Sequence, residues 1–301
     1  MSAPLVSIIL RNKNSEETMA EVLKALFNQR FIDFELIVMD SGTRDQSLEW
    51  LKPCAHQIQT IAPEAYFPGK VLNQAAQIAR GEILVFLNSD VVMLNEQVLD
   101  HLLQPFEDPQ IVASFARQIP RPEADPWVQR DYAKAFPAEG PAPDWMTYSL
   151  PLAAMRKSAW KKMPFYTWAW GSEDSEWGFR AQKQGLKIAY VPQAEVMHSH
   201  NYTLKQLYGR RFIEGEADAY MQNSQYPWLK APLRVLADTA RDIQASLKQR
   251  QLKEAGLALP RRVVFHFAHF RGWTHGWQRI QNKSVDPGKG QVTVLQRHPA
   301  A

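Results

Sequence analysis

EILVFLNSD, residues 82–90, is the stretch on which the fold turns. It reads as a short strand that runs out into three polar residues. Working outward, KVLNQAAQIARG (70–81) has the spacing of a helix, with Gly81 placed to close it. FELIVMD (34–40) is a second strand, ending in an aspartate, and VSIIL (6–10) is a β-branched apolar run of the kind found in a buried parallel strand. Between those two, Met19, Val22, Leu23, Leu26 and Phe27 recur at helical spacing. A further apolar stretch lies near Ile58–Ile61. Strand–helix–strand repeated in this way predicts an α/β fold: an open, mostly parallel sheet flanked by helices.

Ligands of such sheets sit beyond the carboxyl ends of the strands. Those ends carry Arg11 and Lys13, then Asp40, then Asn88 and Asp90. Basic groups suit a diphosphate, an aspartate can accept hydrogen bonds from a base or ribose, and Asp90 is placed to hold a hard cation. Any one of these residues has a plain alternative, that loops are polar; the set converging on one edge does not. The chain has no GxGxxG and no GxxxxGK[ST], so neither a dinucleotide fold nor a P-loop is supported.

Composition agrees with an enzyme. The 301 residues are 45% hydrophobic and 22% charged, enough for one large domain with an appendage. One cysteine, Cys54, excludes an internal disulfide and a multi-cysteine metal site and suggests a reducing, cytoplasmic setting. MSAPLVSIIL has no basic leader region, and no apolar run reaches the ~20 residues needed to span a bilayer. The net charge of +4 is uneven: Lys230–Lys283 holds eleven Lys/Arg against Asp238, Asp242 and Glu254, so the remainder is acidic. No RNA- or DNA-binding motif accompanies the basic segment, and no nucleic-acid partner is expected.

From Val6 to about Tyr220 the chain resembles glycosyltransferase family 2, the inverting enzymes of the GT-A fold, and in particular rhamnosyltransferase-like members. The resemblance rests on VSIILRNKNSEETMAEVLKALFNQRFIDFELIVMDSGTRD, FPGKVLNQAAQIARGEILVFLNSDVV, AMRKSAW (154–160), GSEDSEW (171–177) and PQAEVMHSHNYT (192–203), in that order. It implies a nucleotide-sugar donor held by Arg11, Lys13, Asp40, Lys70, Asn73 and Asn88. It implies a divalent metal at Asp90 and His198, a catalytic base at Asp174 with Glu173 beside it, and a saccharide or lipid-linked saccharide acceptor. Asn88-Ser89-Asp90 stands where the family carries DXD, so one carboxylate is replaced by an amide. Arg11 stands where many relatives have proline. An imidazole ligand favours Mn2+ over Mg2+, which prefers all-oxygen shells.

WAWGSEDSEWGFR (168–180) sets three carboxylates among Trp168, Trp170 and Trp177. Acids in the first turn of a helix capped by Ser172 would be favoured by its dipole by roughly 0.3–1 kcal/mol each, which accounts for the acids and not for the indoles. Partial burial among rings makes a carboxylate a better base, and flat aromatic faces suit sugar rings, so the three tryptophans are read as an acceptor subsite. Glu176 is expected to face away. Arg210 and Arg211 are possible diphosphate clamps, with surface arginines as the equal alternative. His200 is read as structural.

The expected division is a catalytic domain over 1–225 and a basic, mainly helical extension over 226–301. Leu229, Leu233, Leu236, Ala240, Ile243 and Leu247 form one stripe, expected to pack on the catalytic domain or on a second copy in a homodimer. RRVVFHFAHFRGW (261–273) could instead lie at the headgroups of an anionic leaflet, which would place the chain at the inner face of the plasma membrane. A nucleotidyltransferase, or a non-catalytic glycan or nucleotide binder with a degenerate DXD, are the alternatives to a transferase. The residues beyond Asn282 are expected to fray.

Overall fold

The structure, a computed structural model, describes residues 4–227 and 231–283. Two compact units share them. The first takes its described residues from 1–123, 131–165 and 177–199, the second from 124–130, 166–176 and 200–301.

The first unit is built on one eight-stranded sheet. Its strands are β1 (Val6–Asn12), β2 (Phe34–Asp40), β3 (Gln57–Thr60), β4 (Ile83–Asn88), β5 (Val92–Met93), β6 (Ile111–Ile119), β7 (Leu152–Arg156) and β8 (Lys187–Met197). They lie in the order β3-β2-β1-β4-β7-β6-β8-β5. The pairs among β3, β2, β1 and β4 are parallel, and β6 pairs with β8 in parallel. β7 is antiparallel to β4 and β6, and β5 to β8. The expected parallel sheet is thus its first half, where each return between neighbours is long enough for a crossover.

The helices are α1 (Glu16–Phe27), α2 (Ser47–Leu51), α3 (Pro68–Ile78), α4 (Val98–Leu103), α5 (Pro126–Ala135), α6 (Lys157–Lys162), α7 (Glu173–Lys183), α8 (Leu204–Gln222), α9 (Ala231–Lys248) and α10 (Leu252–Gln281). Alternate strand residues feed two cores, because successive side chains leave opposite faces of a sheet. Ile8, Leu10, Leu36, Val38 and Val85 pack with Met19, Val22 and Leu26 of α1. Ile9, Ile37, Met39, Leu84 and Phe86 pack with Val71, Leu72 and Ala76 of α3.

α3 departs from its expected bounds at both ends. Pro68 starts it, with its fixed φ and its missing donor where none is needed. It stops at Ile78, and Gly81 is no cap: a Cβ there would lie 2.6 Å from the Ser7 amide nitrogen, so glycine is what lets the chain pass against β1.

In the second unit α8 and α10 approach backbone to backbone. A Cβ on Gly272 would fall 1.8 Å from the Phe212 carbonyl oxygen, and one on Gly215 2.1 Å from that of His269. A capping box between Thr203 and Gln206 opens α8, and Asn223 in left-handed conformation follows it. α8 clusters with the helices that follow it, together with residues 124–130 and 166–176.

The α9 stripe does not pack on the catalytic domain, one of the two outcomes expected of it. α9 buries Thr239, Asp242 and Ser246, while Leu233 and Leu236 of its stripe are 68% and 62% exposed. The stripe therefore packs on no part of the described chain along those positions; Leu229 lies outside the described residues, as does the tail beyond 283. Arg261 and Arg262 of the 261–273 segment turn inward as well. Arg262 Nε donates to Asp242 Oδ2 at 2.8 Å, and Arg261 Nη2 to Glu254 Oε2 at 2.9 Å. His266 and His269 meet Asp238 and Asp218, each at 2.8 Å. The buried charges of Arg261 and Arg262 are tolerated because they are paired.

Candidate active site

The strand ends of the first unit meet as their register requires. Arg11 lies opposite Asn88 across β1–β4, and Asn12 opposite Asp40 across β1–β2. Arg11 Nη2 donates to Asn88 Oδ1 at 2.9 Å. The amide that replaces an acid is therefore held by a cation, and Asn88 turns its oxygen to Arg11. Ser89 is fixed from α1 and the turn before it: Ser15 and Ser89 hydroxyls are 2.7 Å apart, and Thr18 Oγ1 donates to the Ser89 carbonyl at 2.7 Å.

Asp40 is buried. Its Oδ1 accepts from Asn12 Nδ2 at 3.1 Å, and its Oδ2 from the amides of Gly42 and Thr43 at 3.1 and 3.2 Å. It orders the loop after β2, in which Gly42 takes a φ of 81° that suits glycine. Lys13 is half-buried just past β1. Lys70 is exposed at the start of α3, its ammonium 5.6 Å from the centre of the Phe67 ring. Asn73 is occupied inside the fold. Its Nδ2 donates to the Phe165 carbonyl at 2.8 Å, and its Oδ1 accepts from Trp160 Nε1 and from the Phe165 amide, both at 2.9 Å. Its amide is therefore engaged by Phe165 and Trp160, a role that an asparagine on a helix gives no periodic signal of.

Asp90 and His198 come together. Asp90 Oδ2 lies 3.7 Å from His198 Nε2, too far for a hydrogen bond and suited to two ligands of one ion. The ring is oriented from behind: His198 Nδ1 is 2.8 Å from Gln118 Oε1, and Gln118 Nε2 donates to Ser149 Oγ at 2.8 Å. With the Gln118 oxygen facing the ring, Nδ1 is the donor, the arrangement of a metal-bound histidine and its supporting acceptor. The donor set of one carboxylate and one imidazole fits a divalent ion that accepts both oxygen and nitrogen. Arg121 joins from just beyond β6, its Nη2 donating to the Asp90 carbonyl at 3.1 Å. Sequence reading passed over Gln118 and Arg121. The signal was available, since ARQIPR ends a strand in polar and basic residues as the other site strands do.

The acids of WAWGSEDSEWGFR lie in the second unit. Glu173 and Glu176 are buried and Asp174 is half-exposed, so Glu176 does not face away as expected. They surround Tyr166. Burial, and after it Glu173, Glu176, Glu216 and Asp174, push its hydroxyl far above the usual tyrosine range. It stays protonated and donates to the Gly171 carbonyl at 2.5 Å. The loop before α7 is strained there: Ser172 has a φ of 56°, a conformation uncommon outside glycine, and such outliers gather at functional sites. Asp174 Oδ1 accepts from the Ser175 amide at 2.7 Å. Arg210 donates to Glu214 at 2.6 Å, and Glu214, followed by Tyr202 and Asp174, holds it protonated. Arg211 pairs with the same Glu214 and lies 3.8 Å over the Phe265 ring. The two arginines are thus tied within α8 and to α10. His200 stacks on Tyr202, with ring centres 5.6 Å apart.

The tryptophans divide. Trp177 is wholly buried, with its Nε1 donating to the Met163 carbonyl at 2.7 Å, and offers no face to a sugar. Trp170 is buried too. Trp168 alone of the three is open, its indole 52% exposed. The sequence expectation of a three-ring platform is corrected to one ring, because two of the indoles are needed as core.

The family model described as glycosyl transferase family 2 matches residues 7–164, more than half of the chain and every strand end described above except that of β8. The chain belongs to glycosyltransferase family 2. Curated relatives of this family 2 glycosyltransferase include the O-antigen chain rhamnosyltransferase RfbN of Salmonella typhimurium, 26% identical over 296 residues that cover 91% of each chain. The O-antigen chain rhamnosyltransferase WbaN of Salmonella anatum is 28% identical, over 82% of this chain and 81% of that one. Among solved structures, the mannosyltransferase PcManGT of Pyrobaculum calidifontis, in complex with GDP-Man and Mn2+, superposes with a TM-score of 0.62 at 16% identity, covering 93% of this chain and 89% of that one. TarS of Staphylococcus aureus (residues 1–349) gives 0.54 at 17%, covering 92% and 91%. The shared architecture is the GT-A fold, an open curled sheet with flanking helices and a helical C-terminal region. The family 2 glycosyltransferase is an enzyme of glycosyl transfer.

Proposed function

We propose that this glycosyltransferase is metal-dependent and inverting, and that it moves a sugar from a nucleotide-sugar donor to a hydroxyl of a glycan or lipid-linked saccharide during O-antigen-type polysaccharide assembly. The observation that carries the metal-dependent part is the Asp90–His198 pair with Gln118 behind it. A divalent ion held by Asp90 and His198 supplies charge neutralisation for the departing diphosphate. Mn2+ is favoured over Mg2+ because one of the two donors is imidazole; a neighbour of the same fold is described with Mn2+ and GDP-Man. Rhamnose is the first donor sugar to test, given the names of the two Salmonella relatives.

The chain's own residues divide the remaining work. Arg11, held by Asn88, and Lys13 and Lys70 meet the donor's phosphates; Asp40 acts on the nucleoside through the loop it orders. Asp174 takes the proton of the acceptor hydroxyl in a single in-line displacement, Glu173 orients that hydroxyl, and Trp168 stacks on the acceptor ring. A lipid-linked acceptor calls for a cytoplasmic chain held at the inner face of a membrane. Among the described residues no helix is long and apolar enough to cross one, so the contact would be peripheral.

A thermal-shift panel of UDP, dTDP, GDP and CDP, each with and without Mn2+, tests this on the wild type and on Asp90→Ala. One nucleotide should stabilise the wild type only with metal, by about 2.7 kcal/mol at ~100 Kd, and leave Asp90→Ala unmoved. Asp174→Asn should keep that shift and lose transfer by about 10²–10⁴-fold. No shift with any nucleotide would reassign the chain to non-catalytic binding, with Asn88 as the reason.

A further inference from the structure

We propose that the outward face of α9 and α10 is a docking surface for an anionic lipid bilayer. This deepens the membrane part of the reading above, yet it concerns lipid alone and can fail or hold separately from sugar transfer. The face is apolar where a water-facing helix would be polar. Leu233, Leu236 and Leu247 of α9 and Leu252, Leu259 and Phe267 of α10 are each at least half exposed. Both stripes run at helical spacing, so each is a continuous ridge along its helix.

The charges decide the occupant. The three acids of the two helices have partners in the second unit: Asp238 has His266 and the exposed Arg241, Asp242 has Arg262 and Arg130, and Glu254 has Arg261. The cations are sorted the other way. Arg261, Arg262 and Arg279 are buried, while Arg234, Lys248, Arg250, Lys253 and Arg271 are exposed. Leucines and cations therefore share the outward side; of the three acids Asp238 also pairs with one exposed cation, Arg241, while Asp242 and Glu254 are turned to buried arginines. A second copy docking by a two-fold axis would set this face against itself and oppose like charges. An anionic bilayer accepts the apolar ridges and supplies the opposite charge. The membrane contact expected at 261–273 thus moves: the cations of that segment are largely spent inside, and the surface lies on its other side and on α9.

Flotation of the full chain with vesicles of phosphatidylcholine, with and without phosphatidylglycerol, tests it. The chain should float with the phosphatidylglycerol vesicles, less so at high salt, and stay behind with phosphatidylcholine alone. Leu236→Ser/Phe267→Ser should weaken binding about tenfold or more, as expected for two large side chains withheld from an apolar phase. Arg250→Glu/Lys253→Glu should weaken it similarly. Both should melt at the wild-type temperature, since none of the four side chains is buried. Failure to float with either vesicle, or flotation indifferent to Leu236→Ser/Phe267→Ser, overturns the proposal. So does a concentration-dependent dimer in light scattering that the same variant abolishes, which gives the face to a second copy. A chain that floats but turns over no nucleotide sugar fails only the catalytic reading. One that glycosylates a water-soluble acceptor yet never floats fails only this one.

Discussion

β4 and α10 are both rich in apolar side chains, and they hide opposite halves of themselves. β4 lies between β1 and β7 with both faces covered, so Leu84, Val85, Phe86 and Leu87 are all buried and its polar end, Asn88, emerges at the site. α10 buries Arg261, Arg262, His266, His269, Gly272 and Gly276 and leaves Leu252, Leu259, Val263 and Phe267 outside. The first unit is held by apolar burial. The second adds to smaller clusters, such as Tyr226 and Trp273 with Phe270 and Trp277, close backbone approach and pairs of charges, each of which must offset its own desolvation. A region built in the second way gains little from its leucines in water, and their placement outside points to a surface that is not water.

The largest contrast should appear between two phenylalanines. Phe86→Ala empties a site packed edge-on against Phe165 at 5.4 Å and should cost about 3–5 kcal/mol in denaturant unfolding. Phe267→Ser should change stability by no more than about 0.5 kcal/mol. Equal losses would break the comparison. Next, Asp242→Ala removes the carboxylate that Arg262 and Arg130 share and should cost about 3 kcal/mol, read as lost hydrogen-exchange protection in α9 and α10. Asp242→Leu/Arg262→Met should recover most of that; if it does not, the pair contributes more than its replacement by packing.

Gln118→Ala carries the comparison to the site, where the first unit does use a polar network. Freed of its acceptor, the His198 ring loses orientation, and Mn2+ affinity measured calorimetrically should fall about 10–100-fold with the fold intact. The smallest effect is one of pH. Burial pushes the Glu214 carboxyl up, but Arg211 and Arg210 outweigh it and hold it at about 2, against 4.5 for a free glutamate. A carboxyl depressed on folding stabilises the folded state above its unfolded value and loses that contribution as the pH falls. Exchange protection of α8 should therefore decline between pH 4.5 and about 2, and Glu214→Gln should remove that dependence.

Much of the site was legible from residues near in sequence to a strand end. Arg11, Asp40, Asn88 and Asp90 follow from one rule, that parallel strands present their carboxyl ends together. Gln118 was not legible because its role depends on His198, far along the chain and brought beside β6 by the pairing of β8. Trp170 and Trp177 were misread because an indole near acids looks the same in sequence whether it stacks on a ligand or fills a core. Arg210 and Arg211 looked like clamps because Glu214, one helical turn on, was not weighed as their partner.

Local pattern by itself determined the strands and helices of the first half-sheet, the family motifs and the existence of the α9 stripe, since periodicity and turn chemistry act over a few residues. Only the tertiary structure decided which way that stripe faces. A helix's period states that two faces differ; which face is buried depends on what packs against it, and here Gly215 and Gly272 brought backbones together while Asp242 and Asp238 met Arg262 and His266. Those partners are distant in sequence, and they claimed the polar side of the helices.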